Sequence, residues 1–550
     1  MKKPFSLEML SAGVALALTG AWLAAAHAQQ PVVQGPESVD DWWQTGQAFI
    51  RQSEKIAPVI RRAKNVILFV GDGMGISTVT AARIFEGQMR GKPGEENSLF
   101  FETLPYVALS KTYSWDQQTP DSAPTMTAMV TGYKAREGML SVDHTTQRYE
   151  CDSSQIAAKA LPTILEEAAA AGKYTGIVTT ARLTHATPAA NYAHTAVRDW
   201  ESDNEIRNHE TAKGLAVDSC TVKDIARQLI ELPPAVKDSL KVAMGGGRSY
   251  FLPDTTIDPE DGGTNKGRRK DGRDLTAEWM TTRGANAKFV YDKAGFDAAD
   301  PGSTTHLLGL FERSHMEYEA DRTKDKGGEP SLTEMTEKAI ELLSKNRRGF
   351  YLHVESGRID HAHHAGNPYR ALTDTIEYAN AIRKAYEMTD PKDTLIIVTA
   401  DHSHVFTIAG YPHRGNPILG KVAEVPDQDG DPAGLAKDLL GLPYTTLGYA
   451  NGPGYTGVSY DSKGAVLQAE GIKKNPHIPA RYDNGAKRPD LADIDTTAES
   501  FMPEATVPLG SETHAGEDVA IFASGPKAYL VRGVMEQNWI YHVMREAFGF

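Results

Sequence analysis

Uninterrupted apolar runs alternate with helix-length stretches along most of this chain. The runs have the length and the apolar content of buried strands, and they lie at 65–70, 175–180, 349–354, 394–398 and 519–522. Strands that alternate with helices favour a parallel sheet with helices packed on its faces. The pattern therefore predicts an α/β fold built on a mostly parallel sheet.

Three parts of the chain depart from this alternation. Residues 38–60 have an amphipathic pattern, which predicts a helix that ends at Pro58. Residues 253–275 are charged, rich in glycine and without periodicity, which predicts a surface loop. Residues 421–508 are rich in glycine, proline and aspartate, and the core pattern returns only after them.

The N-terminus has the three parts of a secretory signal. Lys2 and Lys3 form a basic region, residues 11–26 contain an apolar core, and Ala26-His27-Ala28 is a small-x-small cleavage site. The core is short for a membrane span, so cleavage near Ala28 and export to the periplasm or beyond are expected, with an uncleaved membrane anchor as the alternative. No membrane association is expected after cleavage.

The charge and the cysteine content limit which partners and which covalent links are expected. The net charge is -14, and removal of residues 1–28 takes away two lysines and one glutamate, which leaves -15. No long basic run is present, so nucleic acid is not an expected partner. The two cysteines, Cys151 and Cys220, would be exposed to oxidation in an exported protein, which favours a disulfide between them.

The densest chemistry lies between residues 355 and 364, directly after an apolar run. Asp360 and His364 are four residues apart, so on a helix they share one face and supply half of a zinc site. Glu355 stands at the end of the predicted strand, where a hard oxygen ligand suits magnesium. A charged, solvated helix start is the alternative.

Two further segments carry the same residue types beside predicted strands. Asp401 and His402 follow the run at 394–398, and His514 precedes the run at 519–522. In open α/β sheets, ligands bind in the crevice at the carboxyl ends of the strands. The Asp-His pair is therefore expected to point into that crevice.

A glycine-flanked aspartate and a serine complete the pattern. Asp72 lies within Gly71-Asp72-Gly73, after the strand at 65–70. Ser122 follows Asp121 at the start of a helix-like stretch, where N–H groups and the helix dipole stabilise both an alkoxide and a phosphate. Ser122 is therefore a candidate nucleophile, and a plain helix-capping serine is the alternative.

The ordered set of motifs from about residue 38 to the end resembles alkaline phosphatase. The histidine at position 361 resembles the pattern of the animal and marine-bacterial branch, whereas the enterobacterial enzymes carry a lysine there. The resemblance implies a three-layer α/β/α sandwich around a large, mostly parallel sheet, and the hydrolysis of phosphate monoesters by a homodimer. The motifs are Gly71-Asp72-Gly73-Met74-Gly75, Pro120-Asp121-Ser122-Ala123, Thr184-His185-Ala186-Thr187-Pro188, Gly357-Arg358-Ile359-Asp360-His361, Thr399-Ala400-Asp401-His402-Ser403-His404 and Glu512-Thr513-His514-Ala515-Gly516-Glu517-Asp518.

The resemblance also implies a site with two zinc ions and one magnesium ion. Ser122 would attack phosphorus as an alkoxide and form a phosphoserine, while the fork of Arg198 would hold two phosphate oxygens. Zinc lowers the pKa of a bound hydroxyl, and two metals stabilise the attacking and leaving oxygens. His185 and His361 would stand behind the ligands, with Asp121 beside the serine. The implied ligands are Asp360, His364 and His514 for one zinc, Asp72, Asp401 and His402 for the other, and Asp72, Glu355 and Thr187 for magnesium.

Some residues depart from the family pattern or extend it. Ser356 and Pro124 stand where the animal enzymes usually have glycine, which puts the local backbone in question. His353 and His404 are expected to be structural or to lie behind the ligands, and His363 to tune the site as His361 does.

The resemblance extends beyond the catalytic pocket. It implies the disulfide between Cys151 and Cys220, and an N-terminal helix that embraces the partner subunit. It also points to a calcium site with Glu260, the Phe311 carbonyl and Glu312; the fourth ligand, an aspartate, does not align, although Asp325 is nearby. Exposed acidic residues without a metal are the alternative. The expected divisions are a signal peptide at 1–28, an N-terminal segment with the arm helix at 29–64, the catalytic core at 65–420, a crown-like insertion at 421–508 and the end of the core at 509–550.

Three other functions share parts of this pattern. A sulfatase requires an arginine two residues after the proline, and Met126 stands there. Phosphodiesterases of this superfamily typically use a threonine nucleophile and lack the magnesium ligands, so Glu355 and Thr187 favour a monoesterase. A non-catalytic metal-binding protein would not need Ser122.

Overall fold

The computed structural model describes residues 39–425, 434–455, 458–460, 466–468 and 488–550. The predicted signal peptide at 1–28 lies outside these ranges, as do parts of the segments at 29–64 and 421–508. Within the part of the chain that is described, no helix is both long and apolar enough to cross a lipid bilayer.

Ten of the described strands form one large central sheet. The apolar runs predicted as strands all lie in it, because a strand buried on both faces is apolar along its whole length. The strands in chain order are β1 (Asn65–Gly71), β2 (Tyr106–Lys111), β3 (Tyr174–Arg182), β4 (Leu240–Gly246), β5 (Ala287–Val290), β6 (His306–Leu310), β7 (Phe350–Ser356), β8 (Thr394–Ala400), β9 (Ser403–His404), β10 (Phe406–Ile408), β11 (Leu447–Gly452), β12 (Val458–Tyr460), β13 (Val466–Gln468), β14 (Ala505–Pro508), β15 (His514–Ala515), β16 (Val519–Ser524) and β17 (Gly533–Glu536).

The order across the central sheet is β17-β2-β16-β8-β1-β7-β3-β4-β6-β5. β16 runs antiparallel to β2 and β8, and every other described pair of neighbours is parallel. The prediction of a mostly parallel sheet is confirmed.

Helices pack on both faces of this sheet. Side chains of β1 alternate between two hydrophobic cores: Val66 and Leu68 belong to one, Ile67 and Phe69 to the other. The three-layer α/β/α sandwich is therefore confirmed. The helices are α1 (Val39–Ser53), α2 (Ile76–Met89), α3 (Ser122–Thr131), α4 (Ser153–Lys159), α5 (Ile164–Ala170), α6 (Ala186–Ala189), α7 (Asp203–Ala212), α8 (Ile225–Ile230), α9 (Pro234–Ser239), α10 (Arg248–Phe251), α11 (Leu275–Arg283), α12 (Lys293–Ala298), α13 (Leu332–Leu343), α14 (Arg358–His364), α15 (Pro368–Met388) and α16 (Trp539–Phe548).

The two helical layers differ in membership. α3, α5, α8, α11 and α16 contribute buried side chains to the first core, and α2, α13 and α15 contribute to the second. α1 ends at Ser53, five residues before the predicted end at Pro58, and many of its side chains are exposed.

Smaller sheets lie beside the central one. β10, β11 and β14 form a three-stranded sheet, and β12 pairs with β13. β9 pairs with β15, which sets His404 opposite His514. The predicted loop at 253–275 contains only isolated bridges between α10 and α11.

The predicted disulfide is present. Cys151 is bonded to Cys220, across a sequence separation of 69. Both cysteines pack against a small hydrophobic cluster that includes Trp200 and Ile156. The bond therefore closes a long loop around a cluster separate from the two main cores.

The middle of the sheet positions the ligand-rich segments. Gly71, the last residue of β1, is in register with Ser356 of β7 on one side and with Ala400 of β8 on the other. Asp72, Glu355 and Asp401 therefore come together at the carboxyl ends of three adjacent parallel strands, where α/β sheets bind ligands.

Candidate active site

Ser122 is the first residue of α3 and is 2% exposed. Asp121 caps the helix, since its carboxylate accepts a hydrogen bond from the Ala123 N–H. Pro124 lies in the first turn, where its missing N–H leaves no helical hydrogen bond unmade. The Ser122 hydroxyl donates to Asp72 Oδ1 at 3.3 Å and lies 3.2 Å from His402 Nε2. The serine therefore faces two of the predicted zinc ligands.

Three fully buried carboxylates, Asp72, Glu355 and Asp401, form what we call the acid-rich half of the pocket. Asp401 Oδ1 accepts from the Gly73 N–H at 3.0 Å, and Asp401 Oδ2 lies 3.3 Å from His402 Nε2. Neither Glu355 Oε1 nor Asp401 Oδ2 has a hydrogen-bond partner among the described residues. Buried polar atoms normally have partners, so these oxygens indicate ligands for a cation.

Two threonines contact this half. Thr187, near the start of α6, directs its hydroxyl to Asp72 Oδ2 at 3.5 Å. The Thr179 hydroxyl, on β3, donates to Glu355 Oε2. The predicted magnesium ligands Asp72, Glu355 and Thr187 thus lie together, and Thr179 is an additional contact that sequence motifs do not indicate.

Burial and mutual repulsion perturb the acid-rich carboxylates. Burial, followed by the charges of Asp401 and other acids, raises the pKa of Asp72 well above its usual range. Burial raises the pKa of Glu355 to about 8 and that of Asp401 to about 6. Desolvation and like charges both disfavour the ionised form, so ionised carboxylates here require a bound cation.

Asp360, His364, His404 and His514 form the histidine-rich half of the pocket. Asp360 Oδ1 lies 3.3 Å from His364 Nε2, 2.7 Å from His404 Nε2 and 3.2 Å from His514 Nε2. Burial opposes the ionisation of Asp360, but His364 and the other imidazoles outweigh it and hold its pKa well below its usual range.

Backbone carbonyls hold the outer nitrogens of His364 and His514. His514 Nδ1 lies 2.8 Å from the Pro120 carbonyl, and His364 Nδ1 lies 2.6 Å from the Glu512 carbonyl. Such contacts direct Nε2 inward and fix the tautomer that binds a metal. The two predicted zinc ligands on either side of Asp360 are therefore oriented towards each other, with their Nε2 atoms 3.1 Å apart.

His404 occupies a central place in this half. Its Nε2 contacts Asp360, and its Nδ1 lies 2.5 Å from Glu512 Oε2. Burial opposes protonation, but the Glu512 and Asp360 carboxylates raise the pKa of His404 to about 10. His404 thus contacts a predicted ligand directly, in line with the expectation that it supports the ligands.

Arg198 lies at the edge of the acid-rich half. Its guanidinium forms an ion pair with Asp121 and donates through Nη2 to His185 Nε2 at 2.7 Å. Because Asp121 precedes the serine, this contact holds a planar fork of donors beside Ser122. Such a fork matches two oxygens of a phosphate.

His185 and His361 meet a third histidine that no sequence motif indicated. His315 lies in the loop after β6, and its ring centroid is 3.9 Å from that of His361 and 5.3 Å from that of His185. A lone histidine in a loop carries no spacing signal, so only the folded chain shows this cluster.

The predicted calcium ligands form a separate acidic cluster. Carboxylate oxygens of Glu260, Glu312 and Asp325 lie within 4.8 Å of one another, and Phe311 precedes Glu312 in the chain. Burial, Glu260 and Asp325 raise the pKa of Glu312 to about 8. Glu329, which the sequence motifs did not indicate, lies beside this cluster; burial, and then the charges of Glu312 and Asp325, raise its pKa to about 9.

The remaining singled-out residues are packed inside the fold. His353 is buried within β7, and burial lowers its pKa to about 3, which fits a structural role. His363 contacts the Thr78 hydroxyl at 3.0 Å and the Tyr449 hydroxyl at 2.9 Å. Ser356 sits at the end of β7 without breaking the strand.

Comparison with known proteins supports the sequence resemblance. The family model for alkaline phosphatase matches residues 63–550. An alkaline phosphatase of Gadus morhua is 44% identical over 490 residues, which cover 88% of this chain and 92% of that protein. The tissue-nonspecific alkaline phosphatase of Homo sapiens is 42% identical over 489 residues, which cover 88% of this chain and 83% of that protein.

Solved structures of lower identity share the fold. The alkaline phosphatase of the Antarctic bacterium TAB5 has a TM-score of 0.54 at 20% identity, covering 89% of this chain and 99% of that one. The Thermus thermophilus enzyme has a TM-score of 0.58 at 24% identity, covering 90% and 92%. From the match along the chain and the identity to these relatives, we conclude that the protein belongs to the alkaline phosphatase family, metal-dependent hydrolases of phosphate monoesters.

Proposed function

We propose that this phosphatase works through a phosphoserine on Ser122, with two zinc ions and one magnesium ion. The observation that carries the proposal is the acid-rich half, where three buried carboxylates crowd together and leave oxygens without hydrogen bonds beside the serine. Carboxylates in this arrangement are stable as anions only when cations lie between them.

The donor sets fit these metals. Asp360, His364 and His514 offer one oxygen and two imidazole nitrogens, as zinc prefers, and Asp72, Asp401 and His402 offer two carboxylates and one imidazole for a second zinc. Asp72, Glu355 and the Thr187 hydroxyl offer the all-oxygen set that magnesium prefers. When bound, the metals supply Lewis acidity that favours the ionised serine and the departing alcohol.

The chain itself binds and orients the substrate. Arg198 holds two oxygens of the phosphate, and the N–H groups at the start of α3 face the same anion. Ser122 Oγ, whose proton faces Asp72 Oδ1, releases that proton to solvent and attacks phosphorus; the serine–phosphorus bond forms and the bond to the alcohol oxygen breaks. The alcohol leaves with a proton from water. A water molecule then splits the phosphoserine into free Ser122 and inorganic phosphate.

We also propose a calcium site and a homodimer, which the sequence analysis anticipated. A calcium ion would be held by Glu260, the Phe311 carbonyl and Glu312, with Asp325 or Glu329 supplying a further oxygen. α1 exposes Trp42, Trp43 and Phe49, as an arm that packs on the second subunit of a homodimer would. Export with cleavage near Ala28, and the division into a core and a crown-like insertion, remain predictions.

A trapping experiment tests the phosphoserine. The metal-loaded enzyme is mixed with 32P-labelled monoester and quenched in acid, and label on the protein is measured together with turnover of p-nitrophenyl phosphate. The wild type is expected to carry acid-stable label, and Ser122→Ala to carry none and to lose about a thousandfold or more of its turnover. Ser153→Ala is the matched control, because Ser153 also begins a helix after a capping aspartate but is exposed.

The metals are tested with EDTA. Turnover is expected to be lost in EDTA and restored only when both zinc and magnesium are returned. Label retained on Ser122→Ala would overturn the nucleophile assignment. Full restoration by zinc alone would overturn the role of magnesium, and preference for bis-p-nitrophenyl phosphate would favour a phosphodiesterase.

A further inference from the structure

Besides the two halves of the pocket and the acidic cluster at Glu260, the structure contains a cluster of three histidines that could bind a metal. One nitrogen from each of His185, His315 and His361 lies within 4.8 Å of the others. The rings come from three separate places in the fold: the turn after β3, the loop after β6 and helix α14. None of the steps proposed above uses His315.

One nitrogen in each of two of these rings is buried without a hydrogen-bond partner among the described residues. His185 is 8% exposed, and its Nδ1 has no hydrogen-bond partner among the residues that the structure describes. The same holds for His361 Nδ1. A buried imidazole nitrogen without a partner is rare and indicates a missing ligand.

His315 is surrounded by donors. Its Nδ1 accepts from the Arg182 backbone N–H at 3.2 Å, and its Nε2 lies 2.5 Å from Arg182 Nη1. A neutral imidazole carries one proton and must donate it, but here both nitrogens face N–H groups. To bind a metal, the His315 ring must turn away from the Arg182 backbone N–H and the Arg182 guanidinium must release the ring; one nitrogen then offers its lone pair to the ion and the other keeps the N–H.

The two arginines at the edge of the cluster can make way. Arg182 is bonded to both carboxylate oxygens of Glu201, at 3.1 and 2.8 Å from Nε. Arg198 is paired with Asp121. Each of these two guanidiniums therefore keeps a carboxylate partner when it releases its imidazole. Arg358 adds a further positive charge beside the cluster, since burial and then this arginine lower the pKa of His361 to about 3.

We propose that His185, His315 and His361 form a further metal site, separate from the zinc, magnesium and calcium sites, that binds zinc or a similar divalent transition ion. Three imidazoles without a carboxylate match zinc, nickel or copper and do not match magnesium or calcium. His315 and His361 are only partly buried, so an ion and a coordinating water can enter from solvent. The site does not depend on the two-zinc mechanism, since it shares no zinc ligand with it.

Metal counting tests the proposal. Enzyme already loaded with zinc and magnesium is dialysed against graded micromolar zinc, and bound zinc is measured by mass spectrometry. The wild type is expected to bind one zinc per chain more than His315→Asn, which keeps its turnover of p-nitrophenyl phosphate. His144→Asn is the control, because His144 is exposed and stacks on Trp115 away from the cluster.

Diffraction at the zinc edge gives a second test that needs no variant. Crystals of the wild type soaked in zinc are expected to show an anomalous peak between the three rings. Equal zinc counts in the wild type and His315→Asn, or no peak there, would overturn the site. The site at the three histidines is judged only by the difference in bound zinc between the two proteins. Fewer than two zinc ions per chain in His315→Asn would count against the two-zinc mechanism instead.

Discussion

The two halves of the catalytic pocket are built from similar residues but have opposite electrostatic balance. In the acid-rich half, carboxylates face carboxylates, and burial raises the pKa of Glu355 to about 8. In the histidine-rich half, Asp360 faces three imidazoles, which hold its pKa well below its usual range. One half therefore needs cations or protons to be stable, and the other is compensated by its own side chains.

This difference predicts which half of the pocket is destabilised when metals are removed. Without bound metals, Asp72, Glu355 and Asp401 either repel one another as anions or take up protons, because burial and like charges raise their pKa values, whereas Asp360 still contacts His404 and its neighbours. We therefore expect the metal-free protein to be strained in one half and intact in the other.

The largest expected effect comes from removing one charge in each half. Asp72→Asn and Asp360→Asn each remove a proposed metal ligand, so turnover of p-nitrophenyl phosphate should fall about a thousandfold or more. In the metal-free protein the effects on unfolding should have opposite signs. Asp72→Asn relieves repulsion and raises the free energy of unfolding by about 1 kcal/mol at pH 8, and Asp360→Asn leaves the imidazoles unpaired and lowers it by about 3 kcal/mol.

Chemical denaturation of EDTA-treated protein measures both signs. Asp254→Asn serves as the control, since its carboxylate is on the surface and pairs with Lys270. Stability changes of the same sign in the two pocket variants would contradict the comparison.

The next effect is a pH dependence confined to the acid-rich half. Glu355 and Asp401 hold protons in the folded, metal-free protein that the unfolded chain releases near pH 4, because burial raises their pKa values to about 8 and about 6. Their contribution to stability is therefore complete below about pH 4 and is lost as the pH rises to about 8. Magnesium affinity should change in the opposite direction, falling about tenfold per pH unit below pH 8 for each proton displaced.

Thermal unfolding with and without metals, and magnesium titration between pH 6 and 9, check this dependence. Glu355→Gln cannot ionise and should flatten the stability profile of the metal-free protein. A metal-free protein that becomes more stable from pH 6 to pH 8 would argue against the buried-acid account.

The smallest expected effect on catalysis comes from the disulfide. Replacing Cys151 and Cys220 by serine opens a long loop and should lower the free energy of unfolding by about 4 kcal/mol. The closed loop contains Thr187 and Arg198, but each is also held by a contact with a residue outside the loop, Asp72 and Asp121 respectively, so kcat should stay within about twofold. Denaturation in urea measures the free energy of unfolding, and steady-state kinetics measure kcat. A large fall in kcat with unchanged stability would show that the bond shapes the pocket.

The sequence predicted those features that lie in short motifs beside strands. Asp72 and Asp401 each follow an apolar run directly, so the position of each at the carboxyl edge follows from the strand itself. Asp360 and His364 share a helix face because of their spacing. The parallel sheet could be anticipated from the alternation of apolar runs with helices, and the disulfide from the presence of only two cysteines in a chain expected to be exported.

Features that depend on distant contacts could not be predicted. The apolar run of β16 indicates a strand but not its direction, because a buried strand has the same pattern either way. His315 meets His361 only through the path of a loop, and Glu512 reaches His404 only through the pairing of β9 with β15. Each of these features is set by tertiary structure, so no spacing between residues in the sequence indicates it.

The position of β16 has a consequence for biosynthesis. This strand lies between β2 and β8 in the sheet, and His514 stands just ahead of it, yet both are synthesised after every other described strand of that sheet except β17. A nascent chain therefore has an open position in its sheet and an incomplete candidate active site until β16 has been synthesised. Premature termination before β16 is expected to abolish the fold and the enzyme together.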